Sequence, residues 1–128
     1  MQYQEFINRV NERIQTEQTG EAERAVQSAL ATLGERMNGE EVESLASQLP
    51  AELSTQLESG NYAQEPEEFS LEEFYRRIAE REGGLDSECS RERARAVMEV
   101  LTRATSGGEL RDIQRQLPEE FEPLFVSG

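Results

Sequence analysis

The chain has 128 residues, with 27 acids against 13 bases and a net charge of −14 at neutral pH. Every base is arginine; lysine and histidine are absent, and Cys89 is the one cysteine. This composition excludes a Ser-His-Asp or Cys-His catalytic set, a histidine metal ligand, an internal disulfide, and a zinc ribbon or iron–sulfur cluster within one chain.

Helical periodicity starts at once. Tyr3, Phe6, Ile7 and Val10 recur at three- and four-residue spacing and predict a helix over 2–15. Ala25, Val26, Ala29, Leu30 and Leu33 predict a second over 17–37. Val42, Leu45 and Leu49 mark a short helix over 40–48, and Leu53 and Leu57 another over 51–57. The segment 58–69, "ESGNYAQEPEEF", has Gly, Asn and Pro and no stripe, so it reads as a linker. The same succession then returns. Leu71, Phe74, Tyr75 and Ile78 predict a helix over 71–82; Ala96, Val97, Val100, Leu101 and Ala104 one over 87–105; Leu110, Ile113 and Leu117 one over 109–116; Phe121 and Phe125 one over 119–125. Asn38-Gly39 and Gly107-Gly108 read as helix stops. Ser70-Leu71-Glu72-Glu73 reads as a capping box, and Glu5→Arg9 and Glu73→Arg77 as helix-surface ion pairs.

The two halves are offset by 68 residues, apart from a three-residue gain and a three-residue loss confined to turns. Packed helices do not tolerate such changes, and turns do. The expectation is an all-α single domain, 1–128, of about eight helices. It is built as two tandem four-helix repeats, 1–57 and 70–128, each with two long and two short helices. The repeat signature is the corner Gln48-Leu49-Pro50 with Glu52 and Leu53, matched by Gln116-Leu117-Pro118 with Glu120 and Phe121. The residue before proline leaves the α region, so one helix ends there. Proline suits the start of the next, and a first-turn glutamate complements the helix dipole.

"EFINRV", "TLGERM", "QLPAEL", "FSLEEF", "RAVMEVL", "GGELRDI" and "QLPEEFEPLF" together resemble the prokaryotic domain of unknown function family 2267, over almost the whole chain. The resemblance implies a small all-helical domain. It brings no activity, cofactor or site residue with it.

The chemistry left to the residues is narrow. No phosphate-binding loop is present, since "GERMNGEE" lacks the terminal G-K-[ST]. Glu40, Glu41 and Glu43, and Glu65, Glu67 and Glu68, are dense enough to admit an oxygen-rich Ca²⁺ or Mg²⁺ site. A charge run is usually a solvated face, however, so no metal or cofactor is expected. Cys89 falls in a first helical turn near Arg91 and Arg93, features that lower a thiol pKa; without a partner base it reads as incidental. Arginine is denser in the second half, yet residues 1–64 and 65–128 each carry −7, so neither half offers the basic face that nucleic acid needs. The start of the chain lacks the apolar core of a signal peptide, and no run nears the roughly 20 apolar residues of a membrane span. A cytoplasmic protein with no membrane partner is expected.

Three functional readings follow. The first is a non-catalytic helical interaction module that binds a protein partner or a second copy of itself through apolar surface such as the terminal "EPLFV". The second is a carrier for a small apolar ligand, in a cleft between the repeats lined by Tyr3, Phe6, Phe74 and Tyr75. The third is an acidic decoy for a basic protein, which requires a one-sided array of carboxylates. Salt-loving and GC-rich origins both account for a lysine-free acidic composition.

Overall fold

A computed structural model of the chain describes residues 1–15, 20–61 and 66–125. These residues form seven α-helices and one 3-10 helix, and no strand occurs among them. The helices are α1 (Tyr3–Ile14), α2 (Glu21–Arg36), α3 (Gly39–Ala46), α4 (Ala51–Gly60), α5 (Leu71–Arg81), α6 (Ser87–Ala104) and α7 (Gly107–Gln116). The 3-10 helix is Glu119–Leu124. The first residues of the expected second helix, 17–19, and the middle of the expected linker, 62–65, lie outside the described residues.

The two longest helices, α2 and α6, touch each other. α1 and α5 each pack against both, and α4 lies along α2. α3 sits on α4 and also meets α7, while the 3-10 helix rests on α6. The apolar stripes read from the sequence turn inward as one cluster, with Phe6, Leu30, Leu33, Leu53, Leu57, Phe74, Ile78, Val97, Leu101, Ile113 and Phe121 essentially solvent-free. Within it Phe74 stands edge-on to both Tyr75 and Phe121, at ring separations of 6.3 and 6.0 Å.

The helix boundaries follow local chemistry. Side-chain oxygens of Asn38, Ser70, Asp86 and Ser106 each accept the N–H three residues on and cap α3, α5, α6 and α7. Asn38-Gly39 and Gly107-Gly108 therefore start helices, where the sequence suggested stops. Asn38 is extended (φ −77°, ψ 163°) and not left-handed, so its amide serves the next helix. Pro50 and Pro118 are the cap residues themselves, one position earlier than the first turn. The last element is 3-10 and not α-helical. Pro123 inside it has no N–H to give, and its ring excludes α geometry.

α4 continues three residues past its apolar stripe, to Gly60. The reason is tertiary. Gly34 and Gly60 let α2 and α4 touch backbone to backbone: a Cβ on Gly60 would stand 1.8 Å from the Ala31 carbonyl oxygen, and one on Gly34 2.2 Å from that of Leu57. Asn61, next along, is buried, and its Nδ2 donates to the carbonyls of Gly34 and Met37, both at 2.7 Å.

Candidate functional site around helix α3

Arginine placement sets the charge map. The two ion pairs expected on helix surfaces are present, Glu5–Arg9 at 2.8 Å and Glu73–Arg77 at 2.9 Å. Glu73 does not turn back to its own cap; its carboxylate is held by Arg76 and Arg77, which pull it down to about 2. Arg77 and Arg81 both reach Glu35, which ties α5 to α2. Arg93 pairs with Glu82 at 2.7 Å in a largely buried contact, and Arg13 with Glu99 at 3.1 Å. Arg36 is buried: its Nε donates to the Phe69 carbonyl, and its guanidinium lies over the Phe121 ring. Burial lowers its pKa.

None of these arginines is given to α3 or α4. Glu40, Glu43, Glu52 and Glu58 take part in no ion pair among the described residues. Three of them, Glu40, Glu43 and Glu58, line one groove of about 970 Å³ between α3 and α4, with Val42 and Ala46 beneath. The signal was in the sequence: residues 37–75 hold ten acids and no base. Counting charge by halves averaged it away.

The other side of α3 faces α7. Here the corner glutamines have a task that the sequence did not reveal. Gln116 Oε1 accepts the backbone N–H of Asn38 at 3.4 Å, and Gln48 Oε1 that of Ser106 at 2.8 Å. Asn38 and Ser106 are the caps of α3 and α7, so each corner closes the start of the other helix. In an ordinary capping box, the glutamate three residues after the cap takes that N–H. With the N–H already bonded, Glu41 and Glu109 turn into the seam between the helices.

Glu41, Glu109 and Asp112 meet there, with one carboxylate oxygen from each within 4.8 Å of the others. Glu109 is only 6% exposed. Its Oε2 accepts the Ser44 hydroxyl at 2.7 Å, while its Oε1 and the Oε2 of Glu41 are buried with no hydrogen-bond donor among the described residues. A buried acceptor left unpaired costs about 1–3 kcal/mol, more when charged. Burial pushes the Glu41 carboxyl up, and so do the neighbouring charges of Glu109, Asp112 and Glu40. The cation nearest this cluster is Arg115, 3.5 Å from Asp112 in an exposed pair.

The residues singled out from the sequence are placed as follows. Leu53 and Phe121 are core, and Leu117 is buried beside them. Leu49 is half-buried against that cluster. Glu52 is exposed in the first turn of α4. Glu120 instead accepts the Leu71 N–H at 2.9 Å and so caps α5. Phe6, Phe74 and Tyr75 are core side chains, and Tyr3 is half-buried at the edge of the core. Of these four, Tyr75 borders a cavity of about 420 Å³ beside Ser70, Ala79 and Leu85. From the terminal "EPLFV", Leu124 is buried and Phe125 half-buried; Val126 lies outside the described residues. Cys89 is half-buried, and burial and the Asp86 carboxylate raise its thiol pKa. That corrects the expectation of a lowered one: Asp86, which caps the helix, outweighs Arg93. No described helix is long and apolar enough to cross a membrane.

Residues 3–124 match the family described as Uncharacterized conserved protein (DUF2267), and the chain belongs to that family. No curated protein matches it.

Proposed function

We propose that this member of the DUF2267 family is a non-catalytic helical interaction module, and that its α3–α4 groove receives a basic segment of a protein partner. One observation carries this reading. Glu40, Glu43 and Glu58 line a single groove and pair with no arginine among the described residues, although arginines elsewhere are committed to carboxylates. Complementary charge steers encounter and suppresses wrong partners, so an acid-rimmed groove selects Arg- or Lys-bearing segments. Chemistry plays no part in the proposal: the groove is lined by carboxylates, amides, hydroxyls and small apolar side chains.

The test uses a fluorescent amphipathic peptide of alternating Arg and Leu helical faces as probe. Replacing Glu40, Glu43 and Glu58 together by Gln is expected to weaken binding about tenfold, since three exposed charge contacts contribute a few tenths to one kcal/mol each. A control triple of exposed acids on other elements, Glu12→Gln, Glu88→Gln and Glu122→Gln, removes the same charge and is expected to bind as the natural chain does. Equal losses in both triples would mean that net charge alone attracts the peptide, and the groove reading would fall.

A further inference from the structure

We infer that Glu41, Glu109 and Asp112 form a binding site for an oxygen-preferring divalent cation, Ca²⁺ or Mg²⁺ in class, that bridges α3 and α7. Clustered acids alone do not make a site, since on a chain of net charge −14 they meet by chance. Two further features set this cluster apart. Glu109 is buried and its carboxylate belongs to the cluster, yet its Oε1 has no donor among the described residues, and Glu41 contributes a second buried oxygen in the same condition. The first-turn positions of Glu41 and Glu109 place both carboxylates near positive helix ends, which offsets part of their mutual repulsion. Neither helix supplies an N–H to the two orphan oxygens, so something else must.

The donor set defines the ligand. Three carboxylates without nitrogen or sulfur suit hard cations, and a spread of up to 4.8 Å between oxygens can close on an ion coordinated at 2.0–2.6 Å. Water fills the remaining positions. Ser44, which donates to Glu109 Oε2, holds that carboxylate in place as an outer hydrogen-bond partner. The backbone is prepared as well. Gln48 and Gln116 take the cap N–H groups that Glu109 and Glu41 would otherwise bond, which leaves both glutamates free to face the ion. This site uses the opposite face of α3 from the peptide groove, and Glu109 and Asp112 do not line that groove. The two assignments therefore stand or fall separately.

Calorimetric titration of the metal-stripped full chain with CaCl₂, and separately with MgCl₂, tests the inference in buffer of fixed ionic strength. One saturable site is expected, weakened about tenfold or more by Glu109→Gln and by Asp112→Asn, in line with the roughly 10–100-fold losses seen when even a metal's supporting shell is altered. Broadening of amide signals by Mn²⁺ is expected first at Val42, Leu110 and Ile113. Weak multi-site uptake unchanged by either substitution would identify a diffuse counterion cloud and overturn the site. So would a natural chain that binds no cation at all. Asp112→Asn removes a partly exposed ligand at little risk to folding, so the test survives a poorly folded Glu109 variant.

Discussion

Gly60→Ala is expected to cost about 3 kcal/mol or more of stability, a large fraction of the roughly 5–15 kcal/mol that holds a domain of this size together. A methyl group there would overlap the Ala31 carbonyl oxygen at 1.8 Å and its carbon at 2.6 Å. Both obstacles are backbone atoms inside α2, so no rotamer change relieves them. The helices must separate, and Leu30, Leu33, Leu53 and Leu57, which fill this interface, lose contacts along its length. Gly34→Ala meets the Leu57 carbonyl oxygen at 2.2 Å and should behave alike. Thermal melts followed by circular dichroism check this, with a fall of roughly 10 °C or more expected for Gly60→Ala. Gly107→Ala is the internal control. Nothing lies within 4 Å of its added methyl, in the first turn of α7, and alanine's better helix propensity should leave stability unchanged or raise it by up to about 1 kcal/mol. An unaltered melting temperature in Gly60→Ala would show that α2 and α4 are not in backbone contact.

Asn61→Ala is expected to cost about 3 kcal/mol. Its single amide nitrogen serves two carbonyls, Gly34 and Met37, at the point where α2 runs out of internal donors. Both neighbours are acceptors, which fixes the orientation of the amide. Removing it strands two carbonyls in a buried setting at about 1–3 kcal/mol each, with some recovered by water at the groove edge. Asn61→Asp should be at least as damaging, since it aims a carboxylate at two carbonyl oxygens and cannot donate while ionised. Urea denaturation is the measurement: the midpoint should fall in both variants with the slope unchanged. An unfolding free energy for Asn61→Ala within about 0.5 kcal/mol of the natural chain's would mean that the carbonyls find other donors.

These two residues stand in a segment that carries no signal of its own. By its sequence, the stretch from Glu58 onward is polar, Gly-containing and free of any stripe, and so resembles a linker. Gly60 and Asn61 matter because of what α2 presents to them, and a residue's own periodicity holds no trace of its neighbour. The same holds at the α3–α7 seam. "NGEE" and "SGGE" each read as polar turns that stop a helix, and the structure makes them helix starts. Only the packing of one start against the other buries Glu109, and only the far corner's glutamine frees Glu41 from its own cap. The base-free run from residue 37 to 75 was legible, but its meaning needed the arginines to be seen paired on other helices.

What the sequence determined by itself is the all-helical architecture and which side of each helix faces inward. Spacing at three and four residues reports burial of one helix face whatever covers it, and Ser70, Pro50 and Pro118 act on backbone within a few residues of themselves. The tertiary structure decided everything that belongs to pairs of helices: the glycine contact, the doubly bonded Asn61, the exchanged glutamine caps and the convergence of Glu41, Glu109 and Asp112. Each depends on distance between segments remote in the chain, and desolvation and unpaired charge acquire their energies only once those segments meet.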